Sequence, residues 1–279
     1  MTSATPSKWG DLFVRSASAA ILVPAVIACI WFGGNLFLFL VGLSACLIAY
    51  EWVAIVHPHN YLQYALHGAA ALAGTLVTNY FGVLHAGSVV LGLAVLAGLL
   101  VRFGDGPKSI WSYLGIFYVG LPAMALVILR LDPVYGFAAI LWLFLTVWAA
   151  DILAYFSGRI IGGPKLAPKI SPKKTWAGLA GAIIGSALAS VLFAYFMNLK
   201  GAAALALLAG ALAIVEQAGD LFESSLKRYF GVKDSGTLIP GHGGIIDRVD
   251  GLIAVAMIAA LLGWYRGQGL SAAQGLLLW

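Results

Sequence analysis

Nine mostly apolar stretches, separated by short polar turns, constrain this chain more than any other feature. They lie near Ala17–Gly33, Leu36–Val56, Leu62–Phe81, Val83–Val101, Ile110–Leu129, Phe137–Ile161, Ala177–Met197, Ala202–Phe222 and Leu252–Trp264. A helix crosses the hydrocarbon core with about 20 such residues. Spanning backbone must satisfy its own hydrogen bonds, so runs of this length read as helices. Asp, Glu, Lys and Arg together make up 10% of the 279 residues, against about 25% in soluble domains. The expected fold is an all-α, polytopic membrane bundle of about nine helices. Residues 1–135 would carry five of them, and residues 136–279 the last four with two polar loops.

Loop charge orients the bundle. With the N-terminus in the cytoplasm, only Arg130, Lys200 and Arg266 of the sixteen basic residues fall on the outer side, as the positive-inside rule requires. The net charge of +5 therefore reads as loop bias, and no nucleic-acid partner is expected. No cleavable signal peptide is expected either. Cys29 and Cys46 lie inside apolar runs and read as packing residues. The last ten residues, from Leu270, are too short to span and are expected at the interface. Gly158/Gly162 and Gly181/Gly185 have the spacing that lets helices approach closely. His57 and His59 read as a solvated turn, and His67 and His85 as locally hydrogen-bonded. Glu51, at the inner end of the second run, would snorkel or pair with a cation.

Polar residues gather in two places. Glu216, Asp220, Glu223 and Lys227 fall on one helical stripe at the inner end of the eighth run. Three carboxylates there need a nearby cation; a metal ion and a facing basic helix both answer that need. The following loop offers Lys227, Arg228, Lys233 and Arg248 as phosphate-binding cations. It also offers Asp234, Asp247 and Asp250 as hard oxygen ligands suited to magnesium. Gly241, Gly243 and Gly244 would let backbone N–H groups curl around an anion. The second cluster starts at Asp151 in the sixth run, where an acid usually has a functional reason. It continues into a loop with Lys165, Lys169, Lys173 and Lys174, which would attract either polyphosphate or anionic lipid.

The segment from Ser224 to Asp250 contains Ser-x-Leu-Lys-Arg, Lys-Asp-x-Gly, Ile-Pro-x-His-Gly-Gly-Ile and Asp-Arg-Val-Asp. It resembles the signature of the phosphatidate cytidylyltransferase (CDP-diacylglycerol synthase) family. Asp151-Ile-Leu-Ala-Tyr-Phe-Ser-Gly-Arg, Ile170-Ser-Pro-Lys-Lys-Thr and Gly120-Leu-Pro after Tyr118 resemble it too. The close resemblance covers the C-terminal half; the N-terminal runs match in hydropathy alone. One departure is Ala177, where family members often carry glutamate.

The resemblance implies transfer of a cytidylyl group from CTP to phosphatidate, releasing pyrophosphate, with the active site facing the cytoplasm of a bacterial inner membrane. Asp220 and Asp247 would bind the catalytic cation, with Glu223, Asp250 and Asp151 close by. Magnesium is the implied cofactor, with potassium as a candidate second cation. Lys173, Lys174, Lys227, Arg228, Lys233 and Arg248 would bind phosphates. Ser171, Ser224 and His242 would hydrogen-bond phosphate or cytidine. The phosphatidate phosphate is already largely ionised at neutral pH, so no general base is expected. A homodimer is compatible with the glycine-rich runs. The alternatives are a CTP-dependent polyprenol kinase, a CDP-archaeol synthase, or an ion-coupled transporter. No inverted repeat supports the transporter, and no Asp-Gly-x2-Ala-Arg run supports a CDP-alcohol phosphotransferase.

Overall fold

The computed structural model describes residues 8–104, 109–239 and 243–279. The helices are α1 (Lys8–Phe32), α2 (Gly34–Val56), α3 (Tyr61–Leu72), α4 (Thr78–Phe81), α5 (Val83–Gly104), α6 (Ser109–Arg130) and α7 (Gly136–Ile160). After the strands β1 (Lys165–Ala167) and β2 (Ser171–Thr175) come α8 (Trp176–Phe196), α9 (Ala202–Tyr229), α10 (Ile246–Arg266) and α11 (Ala272–Leu277). A π turn over Ala73–Val77 joins α3 to α4. Among the described residues, six helices are long and apolar enough to cross a membrane: α2 and α5 to α9. The molecule is an all-α integral membrane bundle, as its hydropathy dictates.

Helix starts follow local chemistry. Thr175 Oγ1 accepts the Gly178 N–H at 3.0 Å and caps α8, and Asn60 Oδ1 accepts the Gln63 N–H at 3.2 Å and caps α3. Such caps satisfy donors that the first helical turn leaves unpaired. One core runs through the bundle and includes Ile30, Trp52, Val127, Trp142, Leu212 and Val255. Two buried polar pairs tie helices together inside it: Trp142 Nε1 donates to Ser190 Oγ at 2.7 Å, and Ser186 Oγ donates to the Thr146 carbonyl at 2.8 Å.

Two features, a hairpin and His57, depart from the sequence expectations, and the packing of the C-terminus adds to them. The basic loop after α7 is a small antiparallel hairpin, with Lys165 opposite Thr175 and Ala167 opposite Ser171. Its lysines are too sparsely alternated with apolar residues to signal strands. The C-terminal residues fold back as α11, whose Ala273, Leu276 and Leu277 are fully buried. Asp132 draws them in by accepting from Ser271 Oγ and, at 3.0 Å, from Gln274 Nε2. Arg266 donates to the Gly275 and Leu278 carbonyls, and its guanidinium lies 3.4 Å from the Trp279 ring centroid. His57 is buried rather than solvated, 2.7 Å from Ser112 Oγ.

The glycine expectation divides. A Cβ on Gly181 would lie 2.6 Å from the Leu153 carbonyl oxygen, and one on Gly185 would lie 2.7 Å from that of Ala149. These two glycines therefore let α7 and α8 meet backbone to backbone. Gly162 has no such neighbour and instead turns the chain out of α7 at φ +67°.

Candidate active site

The site assembles where α9 crosses α10. Gly219 and Gly251 permit the crossing: a Cβ on Gly219 would lie 2.9 Å from the Asp250 carbonyl oxygen, and one on Gly251 would lie 2.7 Å from Glu216 Cγ. The close approach brings Asp220 and Glu223 of α9 to Asp250 of α10. One carboxylate oxygen from each lies within 4.8 Å of the others. Such a group repels itself unless a cation or proton is shared.

Two lysines flank the acids. Lys174 Nζ, delivered by β2, is 2.5 Å from Asp220 Oδ2 and donates to Gln217 Oε1 at 2.9 Å. Lys227, one turn beyond Glu223, bridges Glu223 Oε2 at 2.8 Å and Asp247 Oδ1 at 2.6 Å. The four residues of the expected stripe all lie on α9, with Lys227 inside the stripe and Lys174 facing it from β2. Even so, Glu223 is 2% exposed and its Oε1 is buried without a hydrogen-bond partner among the described residues. An orphaned carboxylate oxygen costs free energy unless something accepts its charge.

Asp247 stands beside this trio rather than in it. Its Oδ2 accepts from the Ser235 N–H at 3.1 Å and the Gly244 N–H at 3.0 Å, and it lies 3.0 Å from Ser235 Oγ. The geometry thus groups Asp250, rather than Asp247, with Asp220 and Glu223. Asp151 comes in from α7 beside Glu216, whose Oε2 accepts from Gln217 Nε2 at 2.7 Å. Ser224 Oγ donates weakly to Asp220 Oδ1 at 3.3 Å.

Other expected site residues lie further out. Lys173, Arg228, Lys233, Asp234 and Arg248 are exposed, and Ser171 is half-buried in the hairpin. Gly241 and His242 lie outside the described residues. The Gly243 N–H donates to the Ile239 carbonyl at 3.2 Å, and the Gly244 N–H donates to Asp247. These two donors close the loop on itself and are not free to cradle an external anion.

Sequence reasoning left Glu51 out of the site. It is 1% exposed, and it accepts from Ser235 Oγ and from the N–H groups of Ile245 and Ile246, each at 2.9 Å. The signal was present, because Glu51 is the one charged residue in the second apolar run. Tyr118 also belongs here. Its ring lies 4.8 Å from that of Trp52 and 5.8 Å from that of Phe222, and its buried hydroxyl has no partner among the described residues.

Residues 13–265 match the family model described as the cytidylyltransferase family. The chain belongs to the cytidylyltransferase family. Its similarity to other members extends over nearly its whole length. It is 40% identical over 259 residues to the phosphatidate cytidylyltransferase of Brucella abortus, covering 91% of this chain and 93% of that protein. It is 36% identical over 269 residues to the enzyme of the same name from Pseudomonas aeruginosa, covering 91% and 98%. In this cytidylyltransferase, then, the acid cluster and its two lysines lie within the matched region.

Proposed function

We propose that this chain is a phosphatidate cytidylyltransferase, converting CTP and phosphatidate to CDP-diacylglycerol and pyrophosphate at the cytoplasmic side of a bacterial inner membrane. The observation that carries this reading is the meeting of Asp220, Glu223 and Asp250 with Lys174 and Lys227 at one end of the bundle. The full-length similarity to proteins bearing that name supports it.

In the reaction, a phosphatidate phosphate oxygen attacks the α-phosphorus of CTP. The bond from that phosphorus to the oxygen bridging to the β-phosphate breaks, and pyrophosphate leaves. The nucleophile arrives ionised, so its proton need not be removed by a base. The obstacle is bringing two polyanions together, and the chain must supply positive charge and alignment.

Magnesium fits the residues present. Asp220, Glu223 and Asp250 offer hard oxygen ligands within a short span, and the orphaned Glu223 Oε1 is an acceptor awaiting a cation. When bound there, the ion would offset the phosphate charge that builds up in the transition state. Lys174 and Lys227 sit beside these acids on flexible stems and can turn from carboxylate to phosphate as substrates enter. Lys173, Lys233 and Arg248, being exposed, are placed to meet the triphosphate as it arrives from the cytoplasm. Phosphatidate would keep its acyl chains in lipid and present only its phosphate at this depth.

The test is incorporation of radiolabelled CTP into lipid by purified protein with phosphatidate and magnesium. Asp247→Asn, which removes the carboxylate that holds Lys227 at 2.6 Å, should abolish it while the protein still inserts and purifies. Full activity in that variant refutes the role of Asp247, and no CDP-lipid from the unmodified protein refutes the reaction.

A further inference from the structure

The first turn of α10 lacks a cap of its own, because Ile245 at the N-cap position has no side-chain oxygen to offer. The cap is supplied instead by Glu51 of α2, 194 residues away in sequence. Its Oε1 takes the Ile245 N–H and its Oε2 the Ile246 N–H, each at 2.9 Å. A helix N-terminus with free N–H groups favours an anion, and this one is provided from across the bundle.

The same carboxylate reaches the catalytic loop. Ser235 Oγ lies 2.9 Å from Glu51 Oε2 and 3.0 Å from Asp247 Oδ2. The hydroxyl has one proton and stands between two carboxylates, so moving either acid moves the other's partner. Two glycines make room for this arrangement. A Cβ on Gly236 would lie 2.7 Å from Glu51 Oε1, and one on Gly244 would lie 2.7 Å from Glu51 Oε2. Glycines that look like an anion-binding loop thus wrap, in part, around a carboxylate of the protein itself.

We propose that Glu51 is a positioning residue for the cytidylyl transfer: it clamps Ser235 and the first turn of α10 so that Asp247 and Asp250 face Lys227, Asp220 and Glu223. The proposal rests on the reaction assigned above. Glu51 is 1% exposed and walled in by Ser235, Ile245 and Ile246, so it would act through them. Losing it would let the start of α10 drift from α9, and a displacement of about 1 Å is enough to slow a reaction about a hundredfold.

The experiment uses full-length, detergent-purified protein with rates expressed per mole of monodisperse enzyme. Glu51→Gln should lower kcat about a hundredfold while KM for CTP and for phosphatidate stays within about threefold. Amide hydrogen exchange should quicken over residues 235–246 and stay unchanged in α6 and α7. Glu51→Asp, which keeps the charge, should recover part of the rate. Gly236→Ala should be harmful alone and less harmful when combined with Glu51→Asp, because the shorter acid leaves space for the added methyl. Wild-type kcat in Glu51→Gln overturns the proposal, as does a lost rate with unaltered exchange over residues 235–246. Should Glu51→Gln not purify as a folded protein, the Gly236→Ala and Glu51→Asp pair decides, and strictly additive losses overturn the proposal. Failure of the unmodified protein to make CDP-lipid strikes the assigned reaction, and the exchange measurements still judge the clamp separately.

Discussion

Lys227 and Asp247 stand 2.6 Å apart, ammonium to carboxylate, and the same ammonium lies 2.8 Å from Glu223. One cation thereby ties α9 to the start of α10 at the point where the acids gather. Removing one member of a buried ion pair leaves its partners uncompensated and costs about 3–5 kcal/mol. Lys227→Met should therefore lower the apparent melting temperature in detergent and cut kcat at least about a hundredfold. A thermal scan and the CTP-incorporation assay check both effects.

The acid trio predicts a metal dependence. Asp250→Asn and Glu223→Gln should each raise the magnesium concentration for half-maximal activity about ten- to a hundredfold. Titration of activity against magnesium reads this directly. An unchanged curve in both variants would remove these two residues from the ligand set.

The α7–α8 contact should tolerate no bulk. Gly185→Leu places side-chain atoms against the Ala149 carbonyl and Leu153, and overpacking of this kind costs about 1–3 kcal/mol. Gly92, on α5, has open space where its Cβ would be. Gly92→Ala should be neutral or stabilise by up to about 1 kcal/mol. Comparing the melting temperatures of the two variants tests whether close approach, rather than glycine content, sets the packing.

Asp132 gives a pH dependence at the opposite end of the bundle, in the short turn between α6 and α7. Burial alone would push its carboxyl up. The hydrogen bonds from Ser271, the Tyr135 and Val134 N–H groups and Gln274 outweigh that and hold it below the ordinary carboxylate value. A depressed folded pKa means that the contribution is present above the unfolded value, near 4, and is lost as pH falls through the folded value. Docking of α11 should therefore weaken only in strong acid. Asp132→Asn should weaken it at neutral pH, by about 1–3 kcal/mol. Trp279, stacked on Arg266, is a fluorescent reporter at that contact.

Much of the site was legible because it is local. The stripe Glu216–Asp220–Glu223–Lys227 follows from helical periodicity, and the structure keeps all four on α9. The lysine-rich loop after α7 announced its charge, and Lys174 does reach Asp220. Its hairpin was not legible, because strand pairing over so few residues leaves no clear alternation. The loop glycines were visible as flexible backbone. That Gly236 and Gly244 accommodate Glu51 was not, because the neighbour that demands glycine lies in another helix.

Hydropathy and spacing alone determined that this chain is a helical membrane protein with an acidic stripe and two basic loops at one end. Each of those properties is fixed within one turn or one span of the chain. Tertiary structure alone decided that Asp247 pairs with Lys227 and stands outside the trio of Asp220, Glu223 and Asp250. It also decided that Glu51 caps a helix 194 residues downstream and that α11 folds back onto Asp132. Those outcomes depend on how closely helices cross, which is set by glycines and side-chain volumes meeting across the bundle rather than by any interval along it.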